Sequence, residues 1–300
     1  MGYSAGPVRD QSRLTSEPMG TMSEAAFTPS APTAAAAPGA VAAGLKELLG
    51  GIHHWRVWHL LGIRELRHRY ARSKLGQLWL MLSTGVMIGV LSGVWSLLWS
   101  QPVRDLIPFF GTGLVMWTFL SQVLIDCTSI FVTHGNLYRN QRMNFSVSIY
   151  SLIYKNSIML AHNLVIVALL IVACGVPINA YLLQIVPAFV LTWITMLWTG
   201  YVVAMICVRY RDIIQVITTW LSVLFFLTPV FWKPDFLPER FHFIIDYNPF
   251  AQSLELLRNP FLGQPVSLHA WVFTIALALS GGLLALPVIG RYQRRIIFWM

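Results

Sequence analysis

Residues Asn156 to Val208 read NSIMLAHNLVIVALLIVACGVPINAYLLQIVPAFVLTWITMLWTGYVVAMICV, without a single Asp, Glu, Lys or Arg. A helix needs about 20 apolar residues to cross the hydrocarbon of a bilayer, so this stretch is too long for one crossing. Gly175, Pro177 and Asn179 interrupt it, and such residues mark a turn. Two membrane spans joined tightly account for it.

The same reading extends in both directions. Gln77–Trp99 carries no charge and gives a first span; Leu106 to about Phe131 gives a second, apolar until Asp126. Ile213–Trp232 is a fifth and Leu268–Ile289 a sixth. Between these last two, Lys233–Gly263 is punctuated by prolines and holds two amphipathic pieces, Leu237–Ile245 and Pro249–Leu257, both too short to cross. The expected fold class is therefore all-α, a polytopic membrane protein with six transmembrane helices and a short helical segment before the last. Composition agrees: of 300 residues 56% are apolar and 11% charged, against about 25% charged in an ordinary soluble domain. With 12 Trp, 17 Phe and a mean hydropathy of +0.62, the chain has more apolar surface than a water-soluble globule can hide.

Six crossings put both termini on one side. Near the span ends that side carries fourteen Lys and Arg and the other only four, Arg104, Lys233, Arg240 and Arg258. The positive-inside rule then places both termini in the cytoplasm. The formal charge of +9 marks these loops and not a nucleic-acid partner. Residues 1–50, rich in Ala, Pro, Ser and Thr, read as a disordered cytoplasmic tail, because they lack the apolar clusters that offset chain entropy. Residues 51–76 read as an amphipathic interfacial helix. Ile52, Trp55, His59, Ile63, Leu66 and Tyr70 recur at helical spacing on one face, while Arg56, Arg64, Arg67 and Arg72 lie off it.

Chemistry is conspicuous by its scarcity. No Gly-x-x-x-x-Gly-Lys-Ser/Thr loop is present to cradle a nucleotide, so neither ATP nor Mg is expected on this chain. His53 and His54 are adjacent and point to different faces, which makes them a poor metal site; no metal or other cofactor is expected. Cys127, Cys174 and Cys207 are far apart and read as reduced packing residues. Within the spans Asp126 and His162 are nearly the only ionisable groups, too few for an ion-coupled relay. Asp126 reads as a carboxylate paired with a neighbouring helix or a terminal-side Arg.

The run Arg64–Trp79, RELRHRYARSKLGQLW, passes from a basic segment directly into a Trp-led span. With it come the basic loop Thr133–Lys155, the turn Arg209-Tyr210-Arg211-Asp212, Thr228-Pro229-Val230, Asn248-Pro249 and a basic C-terminal tail. In this order the sequence from about Trp55 to Met300 resembles the permeases of type 2 ABC transporters that export bacterial polysaccharides, most nearly the O-antigen branch beside capsule and teichoic-acid exporters. The resemblance implies a homodimer in the bacterial inner membrane, with Lys233–Gly263 a re-entrant helical segment before the last span, bound to two copies of a cytoplasmic ATPase subunit that carries ATP and Mg and moving a polyprenyl-diphosphate-linked glycan processively. It implies that a helix Leu137–Ser148 docks on the ATPase through Tyr138, Arg139, Arg142 and Phe145, and that the N-terminal interfacial helix makes a second contact. Such a substrate needs fixed positive charge for its diphosphate, for which Arg64, Arg67, Arg69, Arg72 and Lys74 are the candidates. It also needs aromatic faces along which sugar rings slide; Trp95, Trp220, Phe225 and Phe226 lie deepest, whereas Trp79, Trp99 and Trp232 suit an interfacial belt. Two alternatives stand beside this reading: an ABC permease for a drug or ordinary lipid, and a membrane-embedded enzyme acting on polyprenyl phosphates, for which only Asp126, His162 and Asp212 are available.

Overall fold

The computed structural model describes residues 1–2, 39–70, 78–141 and 143–300. It divides into a segment Met1–Ala37 and a body Pro38–Met300, and all of the helices belong to the body. Its described residues form helices and connecting turns, without a strand: α1 (Ala40–His53), α2 (Trp55–Tyr70), α3 (Leu78–Trp99), α4 (Val103–Cys127), α5 (Ile130–Thr133), α6 (Gly135–Asn140), α7 (Ser146–Cys174), α8 (Ile185–Arg209), α9 (Ile213–Leu227), α10 (Phe243–Asp246), α11 (Pro249–Arg258), α12 (Leu268–Tyr292) and α13 (Ile296–Trp299).

Five of these segments are long and apolar enough to cross a membrane: Met81–Trp99, Val103–Cys127, Ser146–Cys174, Ala180–Arg209 and Leu268–Trp299. The chain is thus a multi-pass membrane protein. The expected fifth span differs. Helix α9 has 15 residues, about 22 Å at 1.5 Å per residue, and ends at Leu227 because Thr228 is extended and Pro229 follows. The segment expected as one crossing to Trp232 is a shorter helix with an irregular end.

Helix α4 is the centre of the bundle. Leu106, Phe110, Met116, Leu120, Val123 and Cys127, spaced by three, four or six residues, are buried on it, and it packs against α3, α7, α8 and α11. By contrast α3 leaves Leu82, Val86, Val90, Val94 and Leu97 exposed, a stripe matched on α9 by Val216, Trp220, Val223 and Leu227. The α3–α4 turn is reversed by Ser100, whose φ of 53° lies in the left-handed region, followed by Pro102 at the α4 N-cap. Helix α7 ends at Gly175, also left-handed, where a Cβ would lie 2.8 Å from Arg104 Nη2. Arg104 Nε in turn donates to Cys174 O at 2.8 Å.

After α9 the chain folds back into the bundle. Asn248 caps α11 by accepting from Phe250 N at 2.9 Å, and Pro249 occupies its first turn. Seven of the ten residues of α11 are buried, and the helix packs against α4, α8 and α12. Its last residue, Arg258, is 4% exposed; Nη1 donates to Pro229 O at 2.6 Å and the guanidinium lies 4.2 Å from the Phe109 ring centre. Counted in the sequence as a loop charge, Arg258 instead ties α11 to the end of α9.

The ordered body begins earlier than the expected tail boundary at residue 50, since α1 starts at Ala40. Gly44 and Gly290 let α1 press on α12: a Cβ at Gly44 would stand 2.1 Å from Leu286 O, and one at Gly290 1.8 Å from Ala40 O. The expected single helix from 51 breaks at His54, whose Nδ1 is 2.8 Å from Gly50 O. Helix α2 turns Trp58, Gly62 and Glu65 toward α7 and leaves Trp55 of the apolar stripe exposed. The three cysteines are free, Cys127 and Cys207 buried.

Candidate functional site

Three features gather in the body of the bundle, two of them at the end that holds α1 and α13. The first is a charged network. Lys155 Nζ on α7 lies 2.8 Å from Asp126 Oδ2 on α4 and 3.1 Å from Glu65 Oε2 on α2. His134, between α5 and α6, reaches Glu65 Oε1 at 2.9 Å through Nε2, and its Nδ1 is 2.6 Å from Ser148 Oγ. Gln122 and Asn156 donate to the two oxygens of Asp126 at 2.6 and 3.1 Å. Burial works to raise the Glu65 carboxyl, but the His134 hydrogen bond and the Lys155 charge outweigh it and hold it below the usual carboxylate range. This network ties α2 to α4 and α7 and closes one wall of a cavity of about 660 Å³, lined by Arg64, His68, Arg69, Asn136, Asn140, Gln141 and Lys155.

The second feature is the segment between α6 and α7. Glu47 of α1 is buried; its carboxylate accepts from Ser146 N and Asn144 Nδ2, both at 3.0 Å. Burial pushes this carboxyl up, partly offset by those two hydrogen bonds. Tyr138 OH donates to Phe145 O at 3.2 Å and bonds Ser148 Oγ, and its ring packs 4.5 Å from that of Phe145. Burial raises the Tyr138 phenol well above its ordinary value.

The third is an aromatic tract within the apolar layer. Trp99 lies 4.5 Å from Trp95, Trp95 5.9 Å from Phe231, Phe231 5.2 Å from Phe225, and Phe225 5.6 Å from Trp117. Phe250 of α11 joins at 5.5 Å from Trp117. The tract therefore runs over α3, the end of α9, α4 and α11.

A family described as ABC-2 type transporter matches this chain over residues 56–262, which takes in α2 to α11. The chain belongs to that family. Among curated relatives, an O-antigen export system permease protein RfbA of Klebsiella pneumoniae is 21% identical over 212 residues, covering 66% of this chain and 77% of the relative. A second from the same organism is 22% identical over 200 residues, and one from Myxococcus xanthus is 25% identical over 227, covering 75% of this chain and 84% of the relative. The chain is thus an ABC-2 permease similar to O-antigen export permeases, as the sequence motifs implied, and a membrane component of a transporter.

On the permease, the expected site residues fall as follows. Arg64 and Arg69 line the 660 Å³ cavity; Arg67 lies on a neighbouring groove with Arg64 and His68; Arg72 and Lys74 lie outside the described residues. Lys155, His68 and Asn140 on the cavity were not anticipated, although Lys155 is the last charge before the long apolar run. Trp95, Phe225 and Phe226 belong to the aromatic tract, Phe226 lying 5.5 Å from Phe225 and 5.8 Å from Phe231, while Trp220, 60% exposed, stands on the uncovered side of α9. Trp99, Phe231 and Phe250 join the tract without having been expected there. The helix expected over Leu137–Ser148 is not continuous: it breaks after Asn140 and restarts at Ser146, because the intervening residues bond to Glu47. Tyr138 and Phe145, expected at the ATPase contact, are buried in the chain's own core; Arg139 is exposed, and Arg142 lies outside the described residues. Asp126 is paired as expected, though with Lys155 and not an Arg. Among the described residues no group of His, Cys, Asp or Glu is disposed to hold a metal ion.

Proposed function

We propose that this ABC-2 permease exports a lipid-linked polysaccharide, an undecaprenyl-diphosphate-linked O-antigen, as a homodimer carrying two copies of a separate ATPase subunit that binds ATP and Mg. In this reading both termini are cytoplasmic in the inner membrane, and six segments cross, α9 together with Thr228–Lys233 serving as the short fifth. Helices α10 and α11 form the re-entrant segment at the outer side. Irregular backbone at membrane depth is tolerable there because α11 is buried in protein. Residues 1–39 form the cytoplasmic tail, and α1 and α2 lie along the membrane surface.

The observation that carries this reading is the uncovered apolar stripes of α3 and α9 flanking the aromatic tract. A lone chain would leave both stripes to lipid; two chains that face each other across them enclose a conduit walled by Trp and Phe. Aromatic faces stack on sugar rings without reading each hydroxyl, which suits a polymer that moves stepwise. At the cytoplasmic mouth, Arg64 and Arg69 offer bidentate donors to a diphosphate, with Lys155 behind them. The names of the relatives support the choice of cargo. Arg139, which is exposed, and Arg142 are the proposed ATPase contact, with Tyr138 and Phe145 supporting it from within the core.

The test is reconstitution of the permease with its ATPase in proteoliposomes. Lipid-linked O-antigen is expected to stimulate ATP turnover and to become accessible to lectin on the far side; no stimulation by any lipid-linked glycan overturns the proposal.

A further inference from the structure

At the same end of the bundle as the charged network, but on the face formed by α8 and α12, a separate cavity of about 400 Å³ opens beneath the C-terminal helix α13. Its rim is two guanidiniums, Arg209 and Arg295, with Tyr210, Tyr292 and Trp299; its inner wall is Met205, Ile206 and Val288. The geometry points to a bound anionic phospholipid, its phosphate held by Arg209 and Arg295 and one acyl chain lying along Ile206 and Val288.

Charge is the first argument. No carboxylate lines this cavity, and neither guanidinium forms an ion pair among the described residues. Two like charges share a small concavity without a counter-ion from the protein, so an anion is the complementary occupant. Orientation is the second. The Arg209 guanidinium carbon lies 4.9 Å from the Trp299 ring centre and 5.3 Å from that of Tyr210, and Arg295 lies 5.7 Å from Tyr292. Stacking engages the flat faces of a guanidinium and leaves its in-plane N–H edges to donate. Among the described residues Arg209 spends only Nε, on Tyr210 OH at 3.3 Å, which leaves both terminal amino groups for phosphate oxygens.

The apolar wall decides between sources of phosphate. Ile206 and Val288 are each 38% exposed, and one turn from Val288 along α12, away from the rim, Leu284 is 73% exposed. A hydrocarbon tail fits this continuous apolar track; free phosphate has no use for it. Nor is this the proposed cargo site, which lies around α2 and α6. A lipid seated here links α13 to the ends of α8 and α12 and stays with the protein through the transport cycle.

The full-length chain in phosphatidylcholine nanodiscs doped with phosphatidylglycerol provides the test, by native mass spectrometry of retained lipid. One phosphatidylglycerol per chain is expected, favoured over phosphatidylcholine at least tenfold. R209Q/R295Q should reduce that preference at least fivefold, and the exposed single change R295Q should lower it measurably should the double variant not fold. R64Q/R69Q should leave it intact. Equal retention of the two lipids, persistence in R295Q, displacement by millimolar inorganic phosphate or by the ATPase subunit, or preference for polyprenyl diphosphate would each overturn the assignment. Glycolipid-stimulated ATP turnover reads the cargo site independently, so failure here and failure there are distinguishable.

Discussion

Lys155 Nζ stands 2.8 Å from Asp126 Oδ2, joining α7 to α4, while Glu65 of α2 faces the same ammonium at 3.1 Å. The Lys155 and Asp126 side chains are only 11% and 15% exposed, so a one-sided removal leaves the other charge largely uncompensated. Lys155→Met is expected to lower stability by about 3–5 kcal/mol, the range seen when one partner of a buried pair is deleted. Asp126→Asn combined with Lys155→Met should recover part of the loss. Thermal unfolding of the four proteins in detergent checks this as a double-mutant cycle.

The carboxyls of Glu47 on α1, which is buried, and Glu65 on α2, which is half-buried, give opposite pH responses. Glu65 is held low, so its contribution is present above the usual carboxylate value of 4.5 and fades as pH falls through its depressed folded value. Glu47 is pushed up, so it favours folding at low pH and becomes a cost as pH rises through its raised value. Glu65→Gln should therefore be less stable than the parent at pH 7. Glu47→Gln should be more stable there. The Glu47 difference should shrink as pH falls from its raised value toward 4.5, and the Glu65 difference only below 4.5, which unfolding temperatures measured from pH 7 to about 3 would show.

The spans were legible because membrane crossing is a one-dimensional property: a run without charge either is or is not long enough. The network was not, because Glu65, Asp126 and Lys155 come from three helices, and periodicity reports which residues share a face but not which neighbour they meet. The break between Asn140 and Ser146 shows the same limit. No Gly or Pro marks it; Asn144 and the N–H of Ser146, where α7 begins, both turn to Glu47, almost a hundred residues earlier. Trp99 read as an interfacial belt residue from its place at a span end, whereas its contacts at 4.5 Å with Trp95 and 4.6 Å with Phe236 put it inside the aromatic tract.

Backbone-to-backbone contact between α1 and α12 leaves no room for a side chain. Gly290→Val places carbon where Ala40 O already stands and should cost at least the 1–3 kcal/mol or so typical of overpacking, or undock α1 outright. A methyl group at Gly89 on α3 would meet nothing within 4 Å, so Gly89→Ala should be neutral or slightly stabilising through helix propensity alone. Protease sensitivity of residues 40–53 separates the two outcomes: increased cleavage is expected for the Gly290 variant only.

Arg64 is exposed and makes no ion pair among the described residues, and Arg69 spends Nη1 only on Met159 Sδ at 3.3 Å. Removing them should therefore leave folding nearly untouched, within about 0.5 kcal/mol for surface changes away from packed groups. If these guanidiniums receive the diphosphate, Arg64→Gln/Arg69→Gln should raise the KM for lipid-linked glycan about tenfold or more, since each charge-assisted bond is worth roughly 1.5–3 kcal/mol. The maximal ATPase rate should change far less, because the bonds are made on capture of the head group. Trp95→Ala/Phe225→Ala should give the reverse pattern, a KM close to that of the parent and a slower rate of polymer movement, as contacts along the path are lost after capture. Steady-state turnover against glycolipid concentration distinguishes the two variants, and an unchanged KM in the arginine variant would remove the cavity beneath α2 from the transport path.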